Sequence, residues 1–198
     1  MMIDFDGKRL WSDGVAGSQV DLPRILRARI PHCQDVIRAS EQEDRDGVDY
    51  WALRPPARRL GIDLKVRNRD YRADGKDDLA LETWSVWEQG KVGWTRDVTK
   101  NTDFICWYFL DSGRFHLTSF PVLCRVFRAR YDAWLRDYGP EWTQMSHDKG
   151  RSWTSKHIYV PRRVVEEAVV SWMNGDVPRT TATTQLALLT PSYMRRHP

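Results

Sequence analysis

The sequence has no uninterrupted apolar run of about 18 residues, the length a membrane-spanning helix needs, so none is expected. Its opening, MMIDFDGKRLW, contains no apolar segment of the signal-peptide kind, and a signal peptide is not predicted. Cysteine is scarce. Cys33, Cys106 and Cys124 lie far apart, two of them in apolar surroundings. They suit neither a disulfide framework nor a zinc site, which predicts a reducing, cytoplasmic setting. The five histidines, His32, His116, His147, His157 and His197, show no metal-ligand spacing. His116, on a predicted strand, reads as a structural side chain. There is no P-loop, Rossmann fingerprint or nucleophile elbow, and nothing favours a Ser- or Cys-based triad. Internal repeats and a clear domain boundary are also lacking, so residues 1–198 are expected to form a single domain.

What remains is a composition with 41% hydrophobic and 29% charged residues, which predicts a globular fold. Tryptophan is abundant, at ten residues. Trp84, Trp87, Trp94 and Trp107 are expected to fill the core, with one or two near a site available to stack on bases. The net charge is only +4 but is unevenly spread. Residues 54–72 hold seven basic side chains (Arg54, Arg58, Arg59, Lys65, Arg67, Arg69, Arg72) against Asp63 and Asp70, just after the acidic EQEDRD at 41–46. Such a local basic stretch suits a polyanionic partner; the plainer reading is a solvated charged loop.

Apolar spacing predicts a helix over 22–42, broken or kinked at Pro31. Strands follow at 48–53 and about 60–67, joined by RPPARR. YRADGKDD reads as a turn, then a strand covers about 79–87 and EQGK turns again. DFICWYFL, 103–110, reads as a strand buried on both faces, and DSGR turns it into RFHLTSF. Residues 121–138 begin with proline and carry helical periodicity. Residues 139–156 read as a polar loop, 161–173 as a helix stopped by Asn174-Gly175, and the rest as a Thr-rich tail. Residues 1–20 read as an irregular lead-in. The expectation is an α+β chain around one central mixed sheet flanked by helices, with a core over 22–120 and a helical extension and tail over 121–198.

The stretch GIDLKVRNRDY, 61–71, carries the chemistry. Strand alternation points Ile62, Leu64 and Val66 one way and Asp63 and Lys65 the other. Asp49 lies fourteen residues earlier, in the preceding predicted strand. Two aspartates on neighbouring strands can hold a hard divalent cation such as Mg²⁺ and leave positions for water and a phosphate oxygen. A lysine beside them can orient the attacking water or stabilise charge developing on the phosphate. Arg67 and Arg69 would continue this face as phosphate-binding groups if the strand runs that far. The bland alternative is a surface ion cluster of little energetic worth. Glu82, in LALETWSVW, is either a further ligand or lysine-positioning group, or a carboxylate paired with an arginine.

GVDYWAL followed by GIDLKV resembles the PD-(D/E)xK nuclease superfamily, the restriction-endonuclease-like fold. Asp49 matches the lone aspartate, and Asp63 and Lys65 match the D-x-K, with thirteen residues between the aspartates. No proline precedes Asp49, and the upstream helical glutamate of the family has only Glu41 and Glu43 as candidates. In some phage and mobile-element members a third strand carries an acidic residue followed by Gly-Trp; Glu82 with KVGWT is similar to that. The resemblance implies a restriction-endonuclease-like core over about 22–120 and Mg²⁺-dependent hydrolysis of nucleic acid, DNA above all, with Mn²⁺ as substitute. It also implies Asp49 and Asp63 as metal ligands and Lys65 as the residue that assists the nucleophile or stabilises the transition-state charge. Many such enzymes are homodimers, for which the helices at 121–138 and 161–173 are the candidate faces. The competing expectations are a non-catalytic nucleic-acid- or protein-binding module on the same fold, with an interference or regulatory role, and an interaction protein whose charged strand faces solvent.

Overall fold

A computed structural model describes residues 3–4, 21–148 and 150–176. Most of the predicted irregular lead-in, the Thr-rich tail and His197 lie outside the described residues. A two-residue strand, β1, spans Ile3–Asp4. Helix α1, Leu22–Arg29, is capped by Asp21, whose side chain accepts from the Arg24 N–H at 3.0 Å. It buries Leu22 and Leu26. It stops well short of 42. Ile30 is already extended and Pro31 has no N–H to continue the ladder. Asp35–Arg38 instead forms a strand, β2, which buries Val36. A five-residue helix, α2, follows over Glu41–Arg45 with a capping box between Ser40 and Glu43.

Strands β3, Tyr50–Arg54, and β4, Arg58–Arg67, form a hairpin around Pro55-Pro56-Ala57. Then come β5, Asp78–Val86, and β6, Lys91–Val92, followed by the hairpin β7, Phe104–Phe109, and β8, Phe115–Ser119. Helix α3, Phe120–Tyr138, has Pro121 in its first turn. The expected loop at 139–156 is largely a second long hairpin, β9, Trp142–Asp148, and β10, Arg151–Pro161. Up to residue 156 its buried positions are Ser146 and Ser155 rather than apolar side chains, so no hydrophobic alternation betrays that part; the apolar Ile158 and Val160 are buried only beyond it. Helix α4, Arg162–Met173, closes the described chain. No helix among the described residues is long and apolar enough to cross a membrane.

The fold is mixed α and β with a mixed central sheet, as expected, but a second sheet accompanies it. The central sheet has the order β2-β3-β4-β7-β8, antiparallel except for the parallel β4–β7 pair. The other has the order β1-β9-β10-β5-β6. The strands at 142–161 thus lie between the two late helices, and the region after 120 is not the purely helical extension expected of it.

The two faces of the central sheet are covered differently. On one, Val36, Tyr50, Ala52, Ile62 and Cys106 pack with Leu26 of α1 and with Ile30 just after it. On the other, Ile105, Trp107 and Phe109 join Leu79 and Leu81 of β5, Ile158 and Val160 of β10, and Leu123 and Phe127 of α3. Fully burying each such side chain stabilises the fold by roughly 1.5–3 kcal/mol. Trp94 and Trp107 are in this core as expected, whereas Trp87 is 45% exposed.

Gly61 sets how deeply β4 sits. Its N–H donates to Asp103 Oδ2 at 2.7 Å. A Cβ there would lie 2.6 Å from the Asn101 carbonyl oxygen and 2.9 Å from a Val48 methyl. Backbone cannot yield as a flexible side chain can. Gly61→Ala is therefore expected to destabilise the protein by about 1–3 kcal/mol, read as a lower urea midpoint at unchanged m-value. An unchanged midpoint would show that this close approach is not a constraint.

Candidate functional site

Alternation along β4 is as the sequence dictates. Ile62, Leu64 and Val66 pack toward α1, and Asp63 and Lys65 take the opposite face. Their neighbours across the parallel pairing are Ile105 and Trp107. Asp63 is buried, with 7% of its side chain exposed, while Lys65 keeps 27%. Lys65 Nζ sits 2.6 Å from Asp63 Oδ1.

Asp49 lies one residue ahead of β3 rather than within it. Its backbone is nonetheless held in the sheet: its N–H donates to the Ile62 carbonyl at 2.8 Å, and its carbonyl accepts from the Ala39 N–H at 3.0 Å. Its carboxylate oxygen Oδ2 accepts from the Leu64 N–H at 2.5 Å. A side chain thus supplies the acceptor for a strand amide just past the point where the β3–β4 pairing ends, and it delivers the carboxylate between Asp63 and Lys65 in the chain.

Glu82 comes from β5, in the other sheet, and is gripped by the turn that follows β6. Its Oε2 accepts from the Trp94 N–H at 3.2 Å, and its carbonyl accepts from Thr95 Oγ1 at 2.5 Å. Gly93 makes this possible, because a Cβ on it would lie 2.4 Å from the Glu82 carbonyl oxygen. The Gly-Trp noted in the sequence holds the acidic residue in place.

These groups sense one another. Burial, and then the charge of Asp63, push Asp49 up to about 7, against the opposing pull of Lys65 and the Leu64 N–H. Burial disfavours the Lys65 ammonium, but Asp63, Asp49 and Glu82 outweigh it and hold its pKa above the ordinary value. Burial raises Glu82, with Lys65 and the Trp94 N–H opposing and Asp63 adding to the rise. The structure therefore brings Asp49, Asp63, Lys65 and Glu82 together. Among the described residues, no group of three or more His, Cys, Asp or Glu side chains forms a ready-made metal cage.

Arg67 ends β4 on the same face and donates to the Val66 carbonyl at 3.1 Å. Burial lowers its pKa, and Tyr159, Asp63 and Glu82 offset this. It forms no ion pair with a carboxylate among the described residues. Arg69 does not continue this face, because the strand ends at Arg67. Arg69 bonds Asp74 at 2.7 Å and lies over the Tyr71 ring. Of the upstream glutamates, Glu43 is committed to Ser40 and to Arg59, at 3.2 Å, and the Glu41 side chain is 83% exposed. His116 contacts Glu166 at 3.2 Å and Trp107, but its buried Nε2 has no hydrogen-bond partner among the described residues, so it is only partly satisfied.

Sequence reasoning missed two neighbours. Lys100 lies against Gly47, whose added Cβ would come 2.3 Å from the lysine Cδ, and its charge lowers the pKa of Glu82. It sits in a loop with no pattern to flag it. His157 is the cross-strand partner of Glu82, hidden because β10 was not foreseen. No protein-family model matches this chain, and no curated protein or solved structure matches it either.

The raised pKa of Asp49 has a consequence for stability. The folded value, about 7, lies above the unfolded one, 3.8. The folded state therefore favours the protonated acid: this stabilisation is complete below the unfolded value and is lost as pH rises through 7. Asp49→Asn keeps an acceptor for the Leu64 N–H and removes the titration. In metal-free buffer its Tm should gain on wild type by several degrees between pH 4.5 and pH 8, each kcal/mol being worth roughly 2–4 °C. A Tm difference that is flat across that range would mean that Asp49 is not held in this environment.

Proposed function

We propose that this protein is a metal-dependent phosphodiesterase that hydrolyses nucleic acid, with DNA as its substrate, and that its core is restriction-endonuclease-like. The observation that carries the reading is the convergence of Asp49, Asp63 and Lys65 at the end of one antiparallel hairpin, the arrangement implied by the PD-(D/E)xK resemblance. The order α1-β2-α2-β3-β4, a helix and three strands with the short α2 between the first two, ahead of the later elements supports it. So does the clustering of perturbed ionisable groups, which is common at catalytic centres.

The donor set suits a hard divalent cation. Asp49 and Asp63 offer carboxylate oxygens; burial and then the charge of Asp63 raise the pKa of Asp49, and a bound cation would oppose that rise. Mg²⁺ or Mn²⁺ bound there would polarise a phosphate and acidify a water. The remaining roles belong to the chain. Lys65, whose pKa three carboxylates hold above its ordinary value, faces the charge that develops on the phosphate. Glu82 helps to keep that lysine protonated and is a further candidate ligand. Arg67, with no carboxylate paired to it among the described residues, binds a flanking phosphate.

The test uses a labelled single strand, a duplex and a supercoiled plasmid with Mg²⁺, Mn²⁺ or EDTA. Wild type should cleave at least one substrate only when a divalent ion is present. Asp63→Asn and Lys65→Met should each lose about 100- to 1,000-fold while circular dichroism shows a folded protein. Cleavage by folded Asp63→Asn at the wild-type rate would overturn the reading. Tight binding with no turnover in either metal would establish the non-catalytic binding module instead.

A further inference from the structure

The second sheet leaves two large aromatic side chains uncovered, and both lie on the face that carries Glu82. Trp142 pairs with His157, and His157 pairs with Glu82, so the three residues form one row across β9, β10 and β5. Paired residues share a face. Tyr159, two residues on from His157, shares it too, while Ile158 and Val160 turn into the core. The Trp142 side of this row is open: Trp142 is 62% exposed and Tyr159 40%. Their rings meet edge to face, with centroids 6.2 Å apart and an interplanar angle of 87°. Neither belongs to a core cluster. Leaving an indole this exposed forgoes on the order of 1 kcal/mol of burial.

The neighbourhood shows what these rings fit. Tyr159 lies close enough to Arg67 for the two to interact electrostatically, so an open aromatic pair adjoins a guanidinium with no carboxylate partner among the described residues. That guanidinium in turn shares its strand face with Asp63 and Lys65. An aromatic face next to a cation, continuous with a carboxylate cluster, matches a nucleotide: base on ring, phosphate on arginine, backbone leading onward. Bases inside a duplex show their faces to one another, so a ring reaches such a face only at a duplex end or at the cost of unstacking, whereas an unpaired base offers it freely.

Resting on the nucleic-acid reading above, we propose that Trp142 and Tyr159 form a stacking platform for an unpaired base, so that the site acts on single-stranded or frayed nucleic acid rather than on intact duplex. Arg67 holds the adjoining phosphate and directs the strand toward Asp49, Asp63 and Lys65.

The experiment measures binding in EDTA, where cleavage cannot interfere. Fluorescence anisotropy would compare a single-stranded DNA of about 12 nucleotides, within the range of such sites, an RNA of the same sequence, and a two-stranded duplex with G·C-clamped ends at equal salt. Wild type should prefer the single strands by about 10-fold or more. Trp142→Ala should weaken single-strand binding by about 10-fold, with duplex binding unchanged. Trp142→Phe should restore most of the loss. The DNA and RNA arms show which strand chemistry the platform accepts. Equal or tighter duplex binding, or a Trp142→Ala protein that binds single strands like wild type, would overturn the platform. Single-strand binding that depends on Trp142, with no metal-dependent cleavage by wild type, would support the platform and remove only the hydrolase. Failure to bind any of the three overturns both.

Discussion

A strand inside a sheet must satisfy two edges and two faces at once, and β4 does so while carrying an aspartate and a lysine on one face. Its edges are met by β3 and β7. One face is ordinary, with Ile62, Leu64 and Val66 packed toward α1. The other begins at Gly61, small enough to let the 101–103 loop close in, and continues through Asp63 and Lys65. The Leu64 amide lies beyond the backbone pairing with β3, and the Asp49 carboxylate accepts from it. That single hydrogen bond satisfies a strand donor and delivers a second acid to the pair.

The cluster that results is not an economical way to build a core. Removing an ion pair from water costs several kcal/mol per ion unless further partners compensate. Here the compensation is incomplete. Asp49 is driven toward its neutral form by burial and by Asp63, while the surrounding carboxylates hold the pKa of Lys65 above its ordinary value against burial. On the neighbouring strand the equivalent positions, Ile105 and Trp107, pack conventionally against the second sheet and α3. The fold buries apolar side chains along β7 and accepts electrostatic frustration along β4, with part of Lys65 left exposed. Frustration confined to one partly open place is how a binding or reacting centre differs from a structural ion pair. The second sheet contributes as well. Gly93, Trp94 and Thr95 clamp Glu82, and the same sheet sets out the open face of Trp142 and Tyr159 beside it.

Local signals were legible wherever one side of an element meets a core and the other does not. The alternation around Asp63, the apolar run of β7, the hairpin into β8 and the helices α3 and α4 all follow from period and turn chemistry. The failures share a cause. β2 is four residues long and buries only Val36, so helical spacing across Pro31 outweighed it. β9 and the first half of β10 bury serines, Ser146 and Ser155, where apolar residues would have announced a strand. Arg69 was aligned with Arg67 by counting twos, but the strand ends first and Asp74 draws the side chain away.

Composition and periodicity by themselves determined an α and β fold, a charged face on β4, and Asp49, Asp63 and Lys65 as one candidate set, because two neighbouring strands are enough to bring these three together. Only tertiary structure decided that Glu82 reaches them from a separate sheet, that Lys100 and His157 are neighbours of the cluster, and that Trp142 and Tyr159 stand open next to Arg67. Those relations depend on long-range strand pairing, in which the order β10-β5 is chosen by packing against α3 and α4. No short window of sequence contains both partners of such a pair.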